Sequence, residues 1–190
     1  MRTEFKENIF DVLELANILS SNNYYGEAIA GSGTSGTTAL AGAFVVLVFN
    51  NITASYIDDN AIVTVTGNIN INSKADINAK GIGGSVSGAE KAGIGINTVN
   101  IINADVIRAF IGKNATVTSS GSIKIEADAD QELTILTVCG AGASSTGVAG
   151  IFSVLFTKNL VEAYIDQEAK VKAVGSLTIA AHNDTLAFQL

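Results

Sequence analysis

The chain has 190 residues, a formal net charge of −7, 47% apolar residues but 6% aromatic, no Trp or Pro, and one Cys, so any core must be built from Val, Ile, Leu and Ala, which suit layered strand interiors. The acidic balance argues against nucleic acid and against an anionic membrane surface, since both are bound through clustered Lys and Arg. The single Cys139 excludes an intramolecular disulfide and a Cys-rich metal site, and within Thr137-Val138-Cys139-Gly140-Ala141 it reads as a buried spectator thiol.

Met1 to Lys6 carry charge but lead into alternating acidic and apolar residues, not the continuous apolar stretch of a secretory signal. Residues 4–19 predict an amphipathic helix. Phe5, Ile9, Val12, Leu13 and Ala16 fall at helical spacing, with Glu4, Lys6, Glu7, Asp11 and Glu14 largely opposite. Ser20-Ser21-Asn22-Asn23 stops it. Subtracting 54 from the repeat columns described next finds no match here, so residues 1–27 read as a non-repeat segment. Its helix would cap a stack or dock a partner.

Residues 28–190 read as three repeats of 54 residues. An aromatic–Ile pair recurs as Tyr56-Ile57, Phe110-Ile111 and Tyr164-Ile165, and 111 − 57 and 165 − 111 are both 54. Four further columns are identical in all copies: Ala61/Ala115/Ala169, Val63/Val117/Val171, Gly67/Gly121/Gly175 and Ile71/Ile125/Ile179. Within each unit a Gly/Ser/Ala-rich stretch precedes an apolar run, then the anchor pair, a polar turn and two short alternating strands. The longest apolar run, Leu40 to Phe49, is half of the roughly 20 residues a spanning helix needs, so no membrane insertion is expected. Ile69-Asn70-Ile71-Asn72, Ile123-Lys124-Ile125-Glu126 and Leu177-Thr178-Ile179-Ala180 alternate with period two. The glycine two residues before each predicts a turn angle that only glycine adopts cheaply.

A fixed period of this length is the signature of a stacked array. The reading is all-β: a right-handed parallel β-helix (β-solenoid) with a short N-terminal α-helix, at about 18 residues per coil and so three coils per unit. An antiparallel β-sandwich is the alternative. The last residues, Leu186 to Leu190, carry no polar cap, which predicts end-to-end self-association.

The frame Ala-x-Ile-x-x-x-Ala-x-Val-x-x-x-Gly-x-Ile-x-Ile from Ala109 to Ile125 recurs from Ala163 to Ile179, with Leu177 for one Ile, and from Ser55 to Ile71. With Tyr56-Ile57-Asp58-Asp59-Asn60-Ala61 and Tyr164-Ile165-Asp166-Gln167-Glu168-Ala169, it resembles the repeat region of filamentous haemagglutinin-like and fusobacterial leukotoxin-like bacterial exoproteins, the two-partner-secreted filamentous adhesins. The resemblance implies a β-helical shaft, a secreted or cell-surface location, a role in adhesion or cytotoxicity, and a host or neighbouring-cell surface (protein or glycan) as partner. Against that family the chain is short and lacks an export signal, which reads as a fragment of a larger exoprotein.

Candidate chemistry is thin. Glu126, Asp128 and Asp130 alternate with Ala127 and Ala129, which puts three acids on one strand face and raises Ca²⁺. The other copies place Asn72, Lys74 and Asp76, or Ala180, His182 and Asp184 there, favouring a solvated face. Asp58-Asp59 and Asp166 suit turns. His182 has no serine motif to serve, and Gly81-Ile82-Gly83-Gly84 is not followed by Lys-Ser/Thr, so it is no phosphate loop. Arg108 has one nearby acid in sequence, Asp105. The expectation is a non-enzyme without cofactor or metal: a structural shaft presenting an extended surface. The alternatives are a carbohydrate-active β-helix enzyme and a toxin-type module docking through helix 4–19.

Overall fold

The computed structural model of the chain describes residues 2–5 and 15–190. These residues are all-β, with every strand pair parallel, an arrangement compatible with a β-solenoid. In chain order the strands are β1 (Arg2–Phe5), β2 (Leu15–Phe49), β3 (Ile52–Ile57), β4 (Ile62–Val65), β5 (Asn68–Asn103), β6 (Val106–Ile111), β7 (Thr116–Ser119), β8 (Ile123–Ala143), β9 (Thr146–Thr157), β10 (Leu160–Ile165), β11 (Lys170–Ala173) and β12 (Leu177–Gln189). They build three sheets: sheet 1 is β1-β3-β6-β10, sheet 2 is β4-β7-β11, and sheet 3 is β2-β5-β8-β12 with β9 beside β5.

The register corrects the coil count. Ile57 pairs with Ile111, which pairs with Ile165; Val63 pairs with Val117, and Ile71 with Ile125. Each 54-residue unit is therefore one coil, not three of 18. A repeat period states the distance to the next equivalent residue and leaves open how many turns intervene. At ~4.8 Å between paired strands, the stack is short along its axis and wide across it.

The helix expected over residues 4–19 is not formed by the residues at its ends. Arg2–Phe5 pairs with Ala54–Ile57, and Leu15–Leu19 with Asn68–Asn72; residues 6–14 lie outside the described residues. Ala16, Ile18 and Ser20 are buried in alternation, which is strand period. β2 also runs through residue 27, pairing Glu27 with Lys80, so no structural boundary falls there. The N-terminal segment escaped detection because its offset drifts. It is 52 at Phe5↔Ile57, 53 at Ile18↔Ile71 and 54 from Thr38↔Ala92 onward. The last step occurs at an irregularity between Gly36 and Thr38, where Gly36 has φ 149°. One extra residue at such a bulge needs an angle that a side chain would strain.

Strands of 35 and 36 residues exceed the usual 3–10, and they manage it by folding back. In β5 the inward residues run from Ile69 to Ser87 and resume at Gly93. A Cβ on Gly81 would stand 2.6 Å from Val99 Cγ1, and one on Gly83 2.5 Å from Asn97 Oδ1. Residues either side of Ala89-Glu90-Lys91 thus face each other across a thin two-layered arm. The Gly/Ser-rich stretch and the following apolar run are the two sides of this arm. Small inner residues are required because the layers approach so closely: a Cβ on Gly95 would meet Gly140 O at 2.7 Å.

Two apolar clusters follow. The body holds Ile57, Val63, Ile71, Ile111, Val117, Ile123 and Ile125, and the base of the arm holds Val45, Ile77, Val99, Ile101, Leu133 and Ile135. Buried polar groups lie elsewhere along the interior: Asn103 Nδ2 donates to Gln131 Oε1 (3.1 Å) and Asn159 Oδ1 (3.2 Å), and Asp105 Oδ1 accepts from Asn51 N (2.8 Å). On sheet 1, Tyr56, Phe110 and Tyr164 stack with centroids 4.8 and 5.0 Å apart, a ladder worth roughly 0.5–1.5 kcal/mol per pair.

The shared glycine has a different cause from the one expected. Gly67, Gly121 and Gly175 are not among the residues with positive φ; Gly36 is the glycine that has it. What excludes a side chain at Gly121 is the coil below. Gly121 N donates to Gly67 O (3.2 Å), and a Cβ there would stand 2.8 Å from Gly67 C and O. The left-handed angle instead falls in the polar turns, at Asn60 (59°), Asn114 (58°) and Glu168 (60°). Asn tolerates this region and Glu does not. Glu168→Asn is therefore expected to raise unfolding free energy by about 0.5–1 kcal/mol, read from the urea midpoint; an unchanged or lower midpoint would contradict the strain.

Candidate functional site

A groove of about 620 Å³ on the outer face of sheet 3 gathers several polar side chains. Parallel stacking builds it, because each outward position recurs one coil on and forms a column. One column is Asn23/Asp76/Asp130/Asp184 and the next is Tyr25/Asn78/Glu132/Leu186. The 54-residue period already sets Asp76, Asp130 and Asp184 at equivalent positions; that they are neighbours, with Asn23 completing the column, follows only from the single-coil unit and the N-terminal offset of 53.

The acids are partly answered from within. Lys74 Nζ lies 3.2 Å from Asp76 Oδ1 and 3.3 Å from Asp130 Oδ2. Hydrogen bonding to Asp76, then to Asp130, raises the Lys74 ammonium above its ordinary 10.5. This contribution to stability is complete below pH 10.5 and is lost as pH climbs through the raised value. Being well exposed it is screened and small, so Lys74→Met is expected to shift stability by less than about 1 kcal/mol at pH 7. A loss of several kcal/mol in urea denaturation would contradict this. Asn78 Nδ2 donates to Glu132 Oε2 (3.2 Å), and His182 Nε2 lies 3.5 Å from Asp184 Oδ2 with both side chains exposed.

The acid row does not converge. Glu126 is engaged by Lys124 Nζ (2.6 Å) and Asn72 Nδ2 (3.1 Å), whereas Asp130 turns to Lys74. Among the described residues no group of three or more His, Cys, Asp or Glu is placed to hold a metal ion. Asp58 and Asp166 close turns, accepting from Asp59 N (2.9 Å) and Gln167 N (2.7 Å), and Asp59 Oδ1 accepts from Lys113 N (2.7 Å) on the next coil. Arg108 pairs with Glu162 one coil on (Nε–Oε2 2.8 Å), not with Asp105, which is buried at the corner. Cys139 is half-buried, its Sγ 3.0 Å from Gly95 O and 3.2 Å from Ser85 Oγ.

The repeat columns lie inside. Ile57, Ala61, Val63, Ile71, Ile111, Ala115, Val117 and Ile125 are buried; Ile165, Ala169 and Val171 are partly buried; Ile179 is 44% exposed on β12. The groove presents carboxylates, side-chain amides and the rings of Tyr24 and Tyr25, which suits weak contact with hydroxyl or ammonium groups. Its lining holds no Ser, Cys or His. No helix among the described residues is long and apolar enough to cross a membrane. No protein-family model, curated protein or solved structure matches the chain.

Proposed function

We propose that the chain is a right-handed β-solenoid segment of the shaft of a bacterial surface or secreted adhesin, and that it displays broad sheet faces to a protein or glycan on a host or neighbouring cell. The observation that carries this reading is the contrast between inner and outer columns. Ile71/Ile125/Ile179 is constant, while the outward neighbours change from Asn72 to Glu126 to Ala180 and from Lys74 to Asp128 to His182. A scaffold needs its interior kept and leaves its faces free to vary, whereas an enzyme needs one coil with converging groups.

The resemblance to filamentous exoproteins supports the same reading, and the groove is the surface best formed for a polar ligand. The test is saturable binding of labelled chain to epithelial cells and to immobilised cell-surface glycans. Binding is expected, and Asp130→Lys with Glu132→Lys should weaken it at least tenfold while leaving circular dichroism unchanged. Absence of binding to any cell surface, or release of reducing ends from a polysaccharide, would overturn the proposal.

A further inference from the structure

The outer face of the arm's second layer is a sheet surface that no described residue covers. It comprises residues 40–48 of β2, 94–102 of β5 and 148–156 of β9, paired in register. Of its fifteen outward positions eleven are Leu, Ile, Val or Phe and none is charged. Those eleven are 37–70% exposed, which leaves on the order of 1,000 Å² accessible, above the ~300–600 Å² of the largest patch on a typical monomer. Parallel sheets are ordinarily covered on both faces.

The relief of this face says what covers it. One row across the three coils reads Gly42/Ile96/Gly150, and the next reads Phe44/Thr98/Phe152. Small flanks large in the first row, and large flanks small in the second. We infer that the chain forms a two-fold dimer through this face, with the axis along the stacking direction and between these two rows. Phe44 and Phe152 of each copy then fill the gaps at Gly42 and Gly150 of the other, and Ile96 sits over Thr98. Such an interface is isologous, as closed dimers are. It buries roughly 2,000 Å² from both copies, the size of a stable interface. The net charge of −7 does not oppose it locally, because the face carries no charge. The inference stands apart from the adhesin reading.

Sedimentation of the full chain at tens of micromolar tests it. The expected species is a closed dimer of twice 19.5 kDa, and Thr98→Lys should halve the mass without changing circular dichroism. In a Cys139→Ser background, mixing Ile96→Cys with Thr98→Cys chains should give a covalent pair with a short bis-maleimide cross-linker, which suits facing sheets ~10 Å apart. A monomer, a dimer that survives Thr98→Lys, or an open ladder of oligomers indifferent to it would each overturn the inference. So would a chain that is monomeric in solution and uses this face to float with phosphatidylcholine vesicles.

Discussion

Ile125→Ala is expected to lower unfolding free energy by about 3–5 kcal/mol. Ile125 is fully buried and sits between Ile71 of one neighbouring coil and Ile179 of the other, with Ile111, Ala115 and Val117 in the same cluster. The void left behind cannot easily collapse, because the residues above and below are fixed by their own strand ladders. The equivalent Ile179→Ala removes the same atoms at a site already 44% exposed. There the cost should be about 1 kcal/mol, since little apolar area is withdrawn from water. Urea denaturation of the two variants makes the comparison, and equal losses would show that the coils do not stack as described.

Gly121→Ala should cost about 2–3 kcal/mol, in the range of overpacking a rigid site. The added Cβ meets the Gly67 carbonyl carbon and oxygen at 2.8 Å, and backbone on an adjoining coil cannot rotate aside. At Gly175 the corresponding backbone atoms, Gly121 C and O, lie farther off at 3.1 Å, and the nearer Ser122 Oγ at 2.5 Å belongs to a side chain that can turn away, so Gly175→Ala should cost less. Gly142→Ala, with nothing within 4 Å of the new Cβ, is expected to stay within about 0.5 kcal/mol of the parent. Thermal midpoints of the three variants should fall in that order. A destabilised Gly142→Ala beside a neutral Gly121→Ala would refute the close approach of the corners.

Much of the architecture was legible because stacking writes itself into sequence. Ile71, Ile125 and Ile179 recur at one spacing since each is the inward residue of one ladder. The arm was not legible, because nothing in the sequence says that Gly81 and Gly83 face Val99 and Asn97 of the same coil. The N-terminal strand was hidden by amphipathic spacing that also fits a helix. Its register with Asn68–Asn72 appears at offset 53, where Asn17 matches Asn70 (Nδ2–Oδ1 2.9 Å) and Ile18 matches Ile71. Glycine chemistry misled at Gly121, where packing decides and not backbone angle. The groove depended on the same missing fact as the coil count: side chains such as Asp76, Asp130 and Asp184 become neighbours only once the unit is a single coil.

The central claim, that residue i lies beside residue i + 54, is tested most directly by a pair of engineered disulfides. Thr64 and Thr118 are outward partners on β4 and β7. Adjacent strands stand ~4.8 Å apart, within the ~4.4–6.8 Å that a disulfide spans. Coils of 18 residues would instead set Thr118 beside residue 118 − 18 = 100, which is Asn100. In a Cys139→Ser background, Thr64→Cys with Thr118→Cys should close an intramolecular bond, seen by mass spectrometry of the unreduced chain, while Asn100→Cys with Thr118→Cys should not. The reverse outcome would contradict the single-coil repeat and the fold built on it.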